Sequence, residues 1–395
     1  MTEQNAQTEQ LGLILPGGGA RAAYQVGVLK GINALLDRPT ENPFPVLCGT
    51  SAGAINALAL ASKAGDFNRA CRWMEGLWLD LHTDQVYRSD TLGVIRNALR
   101  LIASLFNQGQ ALGKPVALLD NTPLREFLAE RLDFAAIAGH LQQGSLGAVS
   151  IAAMDYTEGH SVNFFQGGPD SAGWSRWRRH GVASPLQLQH LMASSAIPTL
   201  FPPERIGRHY YGDGALRQLT PISPALHLGA SKVLIIPANG HRKQYARQPR
   251  PIRSPAFGEI IGHLLSSAFV DTIENDIERL ERINELVQAV PEGAGNEHTR
   301  KLRPIDAMVI SPSEDIDQIA EQHAADLPGS VRRFVRRTGS NRNNGGVNLA
   351  SYLLFTPAFT RELIALGHRD ALNAGDQLKQ FLAGSPASEN HVDSV

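Results

Sequence analysis

Short apolar runs broken by glycine or proline alternate along this chain with stretches whose apolar residues recur at helical spacing. Leu11-Gly12-Leu13-Ile14-Leu15 stops at Pro16 and three glycines and reads as a buried parallel strand. Val28, Ile32, Leu35 and Leu36 then line one face of a helix. Pro43 and Pro45 lead into a second short strand, Val46-Leu47-Cys48, and residues 52–61, rich in Ala and Leu, read as a buried helix. Residues 147–154 and 161–165 read as two strands joined by a turn at Glu158-Gly159. Ser184-Pro185 reads as a helix start, with the serine as cap and the proline in the first turn. Residues 232–237 form a further strand. This alternation predicts an α/β fold with a largely parallel central sheet.

The composition changes near Gly240. Residues 241–253 carry six basic side chains counting His241, with Pro249, Pro251 and Pro255 close by, and read as an exposed connection. Beyond it, 260–290 is a long helical region, 306–310 a late strand, and the rest is mainly helical apart from a loop at 339–346. The expected organisation is a flexible N-terminus at 1–10, a core at 11–237, a mainly helical extension packing on it at 238–384, and a flexible tail at 385–395.

Composition narrows the function classes. With 37 basic against 38 acidic side chains and a net charge of -1, a strongly basic nucleic-acid binder is excluded at the level of the whole chain. The two cysteines, Cys48 and Cys71, exclude a disulfide scaffold and a Cys-based zinc cluster, and fit a reducing compartment. No run of about 18 apolar residues appears, and the polar first ten residues lack a basic region followed by an apolar one. The expected location is cytoplasmic, soluble or peripheral on a membrane.

Three short motifs carry candidate chemistry. Gly49-Thr50-Ser51-Ala52-Gly53 matches the G-x-S-x-G elbow, in which serine projects from a sharp strand-to-helix turn and Gly49 and Gly53 relieve crowding. The following helix aims its positive end at the site. The plain alternative is a small-residue turn packing a helix on a sheet. Gly17-Gly18-Gly19-Ala20-Arg21-Ala22 also follows a strand. Gly17, Gly19 and Ala22 fit a dinucleotide fingerprint, but its acidic partner is missing: Asp37 ends a helix rather than following a strand. A P-loop fails, because no Gly-Lys-Ser/Thr follows. The other reading is an oxyanion hole, since Gly17, Gly18 and Gly19 bare their amide groups; one such donor is worth about 2.7–4 kcal/mol of barrier. In Tyr210-Tyr211-Gly212-Asp213-Gly214-Ala215, Asp213 stands between glycines that let its carboxylate approach another backbone, although Asp-Gly is also a common hairpin turn.

In this order, Gly-Gly-Gly-Ala-Arg, Gly-Thr-Ser-Ala-Gly and Asp-Gly-Ala resemble the patatin-like phospholipases. Leu119-Asp120-Asn121-Thr122-Pro123-Leu124, Ala193-Ser194-Ser195-Ala196-Ile197-Pro198 and Phe201-Pro202-Pro203 agree, so the resemblance spans roughly 11–237. It implies a three-layer α/β/α fold, a Ser–Asp dyad of Ser51 and Asp213, hydrolysis of lipid acyl esters, and neither cofactor nor metal at the dyad. Two positions depart from the family's usual D-G-G-G-x-R-G loop. Pro16 stands first and offers no amide donor, and Ala22 adds a methyl group where glycine is usual.

Alternatives remain at this level. A Ser–His–Asp hydrolase would draw its base from His227, His241 or His263. A non-catalytic module could keep the pocket for a lipid or nucleotide. Arg21 reads as a brace for the glycine loop, a phosphate contact, or a surface helix residue. The clusters at Arg176-Trp177-Arg178-Arg179 and Arg332-Arg333-Phe334-Val335-Arg336-Arg337 read first as solvated helix faces and second as docking sites for anionic lipid headgroups. Residues 92–106 have apolar positions at helical spacing and read as core, as a cap over the site, or as an interfacial helix; residues 349–359 read as core.

Overall fold

In the computed structural model, residues 10–90, 93–94, 96–97, 99–100, 117–169, 171–218, 220–239, 257–289, 304–337 and 349–383 are described. The expected flexible ends apart from Gln10, the connection at 241–253, the loop at 339–346 and most of 92–106 lie outside the described residues.

A ten-stranded mixed sheet forms the centre. Its strands are β1 (Leu11–Leu15), β2 (Val46–Thr50), β3 (Ala148–Asp155), β4 (His160–Gly167), β5 (Trp174–Arg176), β6 (Arg179–Ala183), β7 (Glu204–Ile206), β8 (His209–Asp213), β9 (Lys232–Ile235) and β10 (Asp306–Val309). The order is β10-β9-β1-β2-β3-β4-β6-β5, and the first five run parallel. β4 turns back antiparallel to β3. β8 pairs antiparallel with β3 beyond the end of β2, placing Asp213 opposite Ala153. The late strand expected at 306–310 thus forms the sheet edge beside β9.

The α-helices of five or more residues are α1 (Ala23–Leu35), α2 (Ala52–Ala61), α3 (Phe67–Asp80), α4 (Thr122–Arg131), α5 (Phe134–Gln142), α6 (Leu188–Ser194), α7 (Ser223–His227), α8 (Phe257–Ala289), α9 (Ile316–Gln322), α10 (Gly329–Arg337), α11 (Leu349–Leu353), α12 (Pro357–Asn373) and α13 (Gly375–Ala383). Two apolar cores follow from the period-two alternation of the strands. Leu13, Leu15, Leu47, Val149 and Leu234 face the core shared with α1, α2, α3 and α12. Ile14, Val46, Cys48, Val233 and Ile235 face the second, with Ala225 of α7 and Ile273 and Leu280 of α8. Helices therefore cover both faces, giving three layers. α12 belongs to the C-terminal half but packs directly on α1: a Cβ on Gly367 would lie 2.2 Å from the Tyr24 carbonyl oxygen.

Two local expectations are corrected. The helix expected at Ser184 begins at Leu188, capped by Gln187, whose amide donates to His190 Nδ1 at 3.0 Å. Ser184 is still committed to the sheet, its amide donating to the Phe165 carbonyl at 2.9 Å. The basic cluster at 176–179 is not a helix face. Arg176 and Arg179 pair across β5 and β6, leaving Trp177 and Arg178 as the turn of a hairpin.

Candidate active site

Ser51 follows β2 directly and caps α2. Its backbone sits at φ 55°, ψ -126°, a left-handed conformation that is sterically costly for a residue with a Cβ. The strain follows from the tight reversal between strand and helix. A Cβ on Gly53 would lie 2.0 Å from the Leu15 carbonyl oxygen, and one on Gly49 would lie 2.5 Å from that of Gly53. The first turn of α2 therefore presses against the end of β1, where the glycine loop begins.

That loop holds Gly17, Gly18 and Gly19, all buried. The amides of Gly17 and Gly18 meet no acceptor among the described residues. Gly19 has φ 56° and packs against the backbone of α11, where a Cβ would lie 2.4 Å from the Tyr352 carbonyl oxygen. A buried polar chain fixes the loop from beneath. Gln25 donates to the Pro16 carbonyl at 2.8 Å, Asn56 donates to Gln25 at 2.8 Å, and Trp78 donates to Asn56 at 2.6 Å. Ala22, where the resembling family has glycine, is itself fully buried, and its carbonyl accepts from Asn56 at 3.0 Å.

Arg21 is 4% exposed and faces the C-terminal half of the chain. It donates to Ser351 from Nε at 2.8 Å, to Asn239 at 2.5 Å and to Asp317 at 2.5 Å, while its guanidinium lies 4.2 Å from the Tyr352 ring centroid. Its donors are thus engaged in bracing the loop against α9 and α11.

Asp213 ends β8 and is completely buried. Oδ1 accepts from the Ala215 amide at 3.0 Å. Oδ2 has no hydrogen-bond partner among the described residues, while Ser51 and the Ala215 amide act to favour the charged carboxylate. Burial dominates, and raises the carboxyl pKa from 3.8 to about 7.

The segment 194–196 ties the two residues together. Ser51 donates its amide to the Ser194 hydroxyl at 2.9 Å, the Ser195 hydroxyl donates to the Ser51 carbonyl at 3.4 Å, and Asp213 donates its amide to the Ala196 carbonyl at 2.9 Å. Sequence reasoning marks this stretch only for its resemblance and assigns it no role. It also missed Gln25 and Asn56, although a lone amide in the otherwise apolar run of α2 is a readable sign of a buried network.

Histidine takes another place. His227 lies on the second face of the sheet, stacked on Trp174 at 4.7 Å. His241 lies outside the described residues, and so does the side chain of His263. Among the described residues no histidine bonds to Ser51 or Asp213, and no group of three His, Cys, Asp or Glu could hold a metal ion. No helix among them is long and apolar enough to cross a membrane.

A strained serine elbow and a buried aspartate at the carboxyl ends of a parallel sheet define a class of α/β proteins with a candidate acyl-transfer site. Residues 13–226 match the family described as patatin-like phospholipase, and the chain belongs to that family. It is 28% identical over 215 residues to a protein of Pseudomonas aeruginosa named cGAMP-activated phospholipase, a match covering 54% of this chain and 55% of that one. The chain thus spans about half the length of that curated relative. Among solved structures it is similar to human GIVD cytosolic phospholipase A2, with 12% identity and a TM-score of 0.45 over 96% of this chain and 60% of that one. VipD from Legionella pneumophila is also similar, with 13% identity and a TM-score of 0.35 over 93% and 67%.

Proposed function

We propose that this protein hydrolyses fatty acyl esters of lipids through an acyl-enzyme on Ser51, with Asp213 as the base. Asp213 takes the hydroxyl proton as Ser51 Oγ attacks the ester carbonyl. The amides of Gly17, Gly18 and Gly19 hold the negative oxygen of the tetrahedral intermediate. Asp213 returns the proton to the departing alcohol or lysolipid. Water, losing its proton to Asp213, then releases the fatty acid and restores the serine.

What supports this reading is that one segment, 194–196, holds both Ser51, in a strained and buried elbow, and a carboxyl whose pKa burial has raised to about 7. A carboxylate at its ordinary pKa is too weak a base for a serine hydroxyl, and desolvation is what strengthens it. Membership in the patatin-like phospholipase family supports lipid esters as the substrate class.

A fluorophosphonate probe tests it. Wild type is labelled, Ser51→Ala is not, and Asp213→Asn is labelled far more slowly. Fatty acids released from defined phospholipids, lysophospholipids and glycerides then identify the substrate. Equal labelling of wild type and Ser51→Ala would sink the assignment.

A further inference from the structure

Three β-turns rise from the sheet at the end that carries Ser51 and Asp213. Strand directions fix this. β3 runs parallel to β2 and passes Thr50 at Ala152, so its C-terminal end lies beyond the start of the elbow. β4, which begins at that end, pairs Asp155 with His160, and β6 pairs Arg179 with Ser161 of β4. β8 likewise begins there, since Tyr211 pairs with Asp155. The turns at residues 156–159, 177–178 and 207–208 therefore form one rim. At about 3.3 Å per residue along β3, the rim stands roughly 10 Å beyond the level of Asp213.

The rim is built rather than loose. The Tyr156 amide donates to the Tyr210 carbonyl at 2.8 Å, joining the first turn to the third. The Ser161 amide donates to the Arg178 carbonyl at 2.9 Å, pinning the second to β4. Its exposed side chains are of two kinds. Trp177 is 84% exposed, the most exposed large hydrophobic residue in the described structure, and Tyr156 and Tyr210, at the other two turns, are exposed at 40% and 38%. Arg176, Arg178, Arg205 and Arg208 are exposed around them, and none pairs with a carboxylate among the described residues. Arg178 is held at φ 55°, where glycine would be less strained, and lies 5.2 Å from the Trp177 ring centroid. The one exposed carboxylate on these turns is Glu158.

We propose that this rim seats the protein on the surface of an anionic lipid bilayer, with Trp177 at headgroup depth and the arginines against lipid phosphates. This rests on the lipid-hydrolase reading above. Aromatic rings with one apolar and one polar edge favour the membrane–water interface, and unpaired basic side chains near an anionic surface add to the attraction. Tyr156 ties the first turn to β8. Its hydroxyl lies over Gly212, where a Cβ would be 2.3 Å away, and burial together with the Asp213 charge raises its pKa to about 12.

The test uses the full chain carrying Ser51→Ala, so that lipid is not consumed, and vesicles of phosphatidylcholine with or without phosphatidylglycerol. Sedimentation should show binding to the anionic vesicles, and the tryptophan emission should shift to the blue in a way that Trp177→Ala abolishes. Replacing Arg176 and Arg178 by Gln should lower the partition coefficient about 25-fold, near fivefold per charge. Trp177→Ala should lower it further, and the distant Arg361→Gln should leave it unchanged. Thermal melts confirm that each variant is folded. Absence of binding, equal binding to neutral vesicles, or binding that the rim substitutions leave intact would each overturn the proposal. Turnover of a soluble short-chain ester by wild type is read separately. Its absence with vesicle binding intact would remove the hydrolase reading and leave the docking surface standing.

Discussion

The backbone amide of Ser51 donates to the Ser194 hydroxyl at 2.9 Å, and two residues later the Ala196 carbonyl accepts the amide of Asp213 at the same distance. One short stretch at the end of α6 therefore sets the position of both residues. Ser194 is fully buried, so Ser194→Ala leaves the Ser51 amide without a partner and no water in easy reach. A loss of about 1–3 kcal/mol in stability follows. The elbow should also become less well positioned, lowering kcat on a soluble ester with KM little changed. Steady-state kinetics beside urea melts separate the two effects.

The pH profile should carry the signature of Asp213. In the proposed mechanism Asp213 acts only as carboxylate, and burial raises its pKa to about 7. The rate of fluorophosphonate labelling should rise through pH 7 with unit slope and level off above pH 8. An inflection near 4, where an ordinary carboxyl titrates, would show that the acid in the site is not desolvated.

Stability should run the opposite way. Between pH 3.8 and about 7 the folded protein holds a proton on Asp213 that the unfolded chain has released. Stability contributed by this group is therefore lost as pH rises across that window, and the penalty is complete above pH 7. A shift of this size corresponds to a penalty on the order of 4 kcal/mol. Asp213→Asn keeps an oxygen for the Ala215 amide and carries no charge. It should melt above wild type at pH 8, with the difference closing as the pH falls toward 4. Calorimetry at three pH values suffices to check the sign.

Much of the parallel sheet could be read from the chain because its signals are local. Leu11–Leu15 is apolar at every position but one and ends at Pro16, as a strand buried on both faces must. The strand, turn and helix around Ser51 were likewise legible from five residues and their flanks. What escaped depends on long-range partners. Arg21 meets Ser351 across 330 positions, and no spacing rule encodes that. Ser184-Pro185 has the chemistry of a helix start, but the Ser184 amide is claimed by the neighbouring strand. Arg176–Arg179 lost its helical reading because only the pairing of β5 with β6 reveals a hairpin.

Arg21 joins the glycine loop to the C-terminal half of the chain, and its loss should be felt in both. Arg21→Ala leaves Asp317 and Ser351 without their shared donor in a site where Arg21 is 4% exposed. Breaking a buried pair in this way costs about 3–5 kcal/mol. Lysine keeps the charge but cannot reach Ser351, Asn239 and Asp317 together, so Arg21→Lys should fall between wild type and alanine. Urea denaturation ranks the three proteins.

Gly53 gives the sharpest steric prediction. The first turn of α2 lies so close to the end of β1 that a Cβ at 53 would sit 2.0 Å from the Leu15 carbonyl oxygen. Backbone is the obstacle on both sides, so neither partner can rotate away. Gly53→Ala must push α2 off the strand, at about 1–3 kcal/mol or more. Ser51 and the glycine loop after Leu15 would then separate, and probe labelling should be lost even where the protein still folds. Gly76 in α3 is the control, because a Cβ there meets nothing within 4 Å. Gly76→Ala should stabilise the protein by about 0.5–1 kcal/mol, since alanine is the better helix former. Opposite signs for the two substitutions, read from melts of the same batch, would tie the effect to the contact with Leu15 rather than to helix propensity.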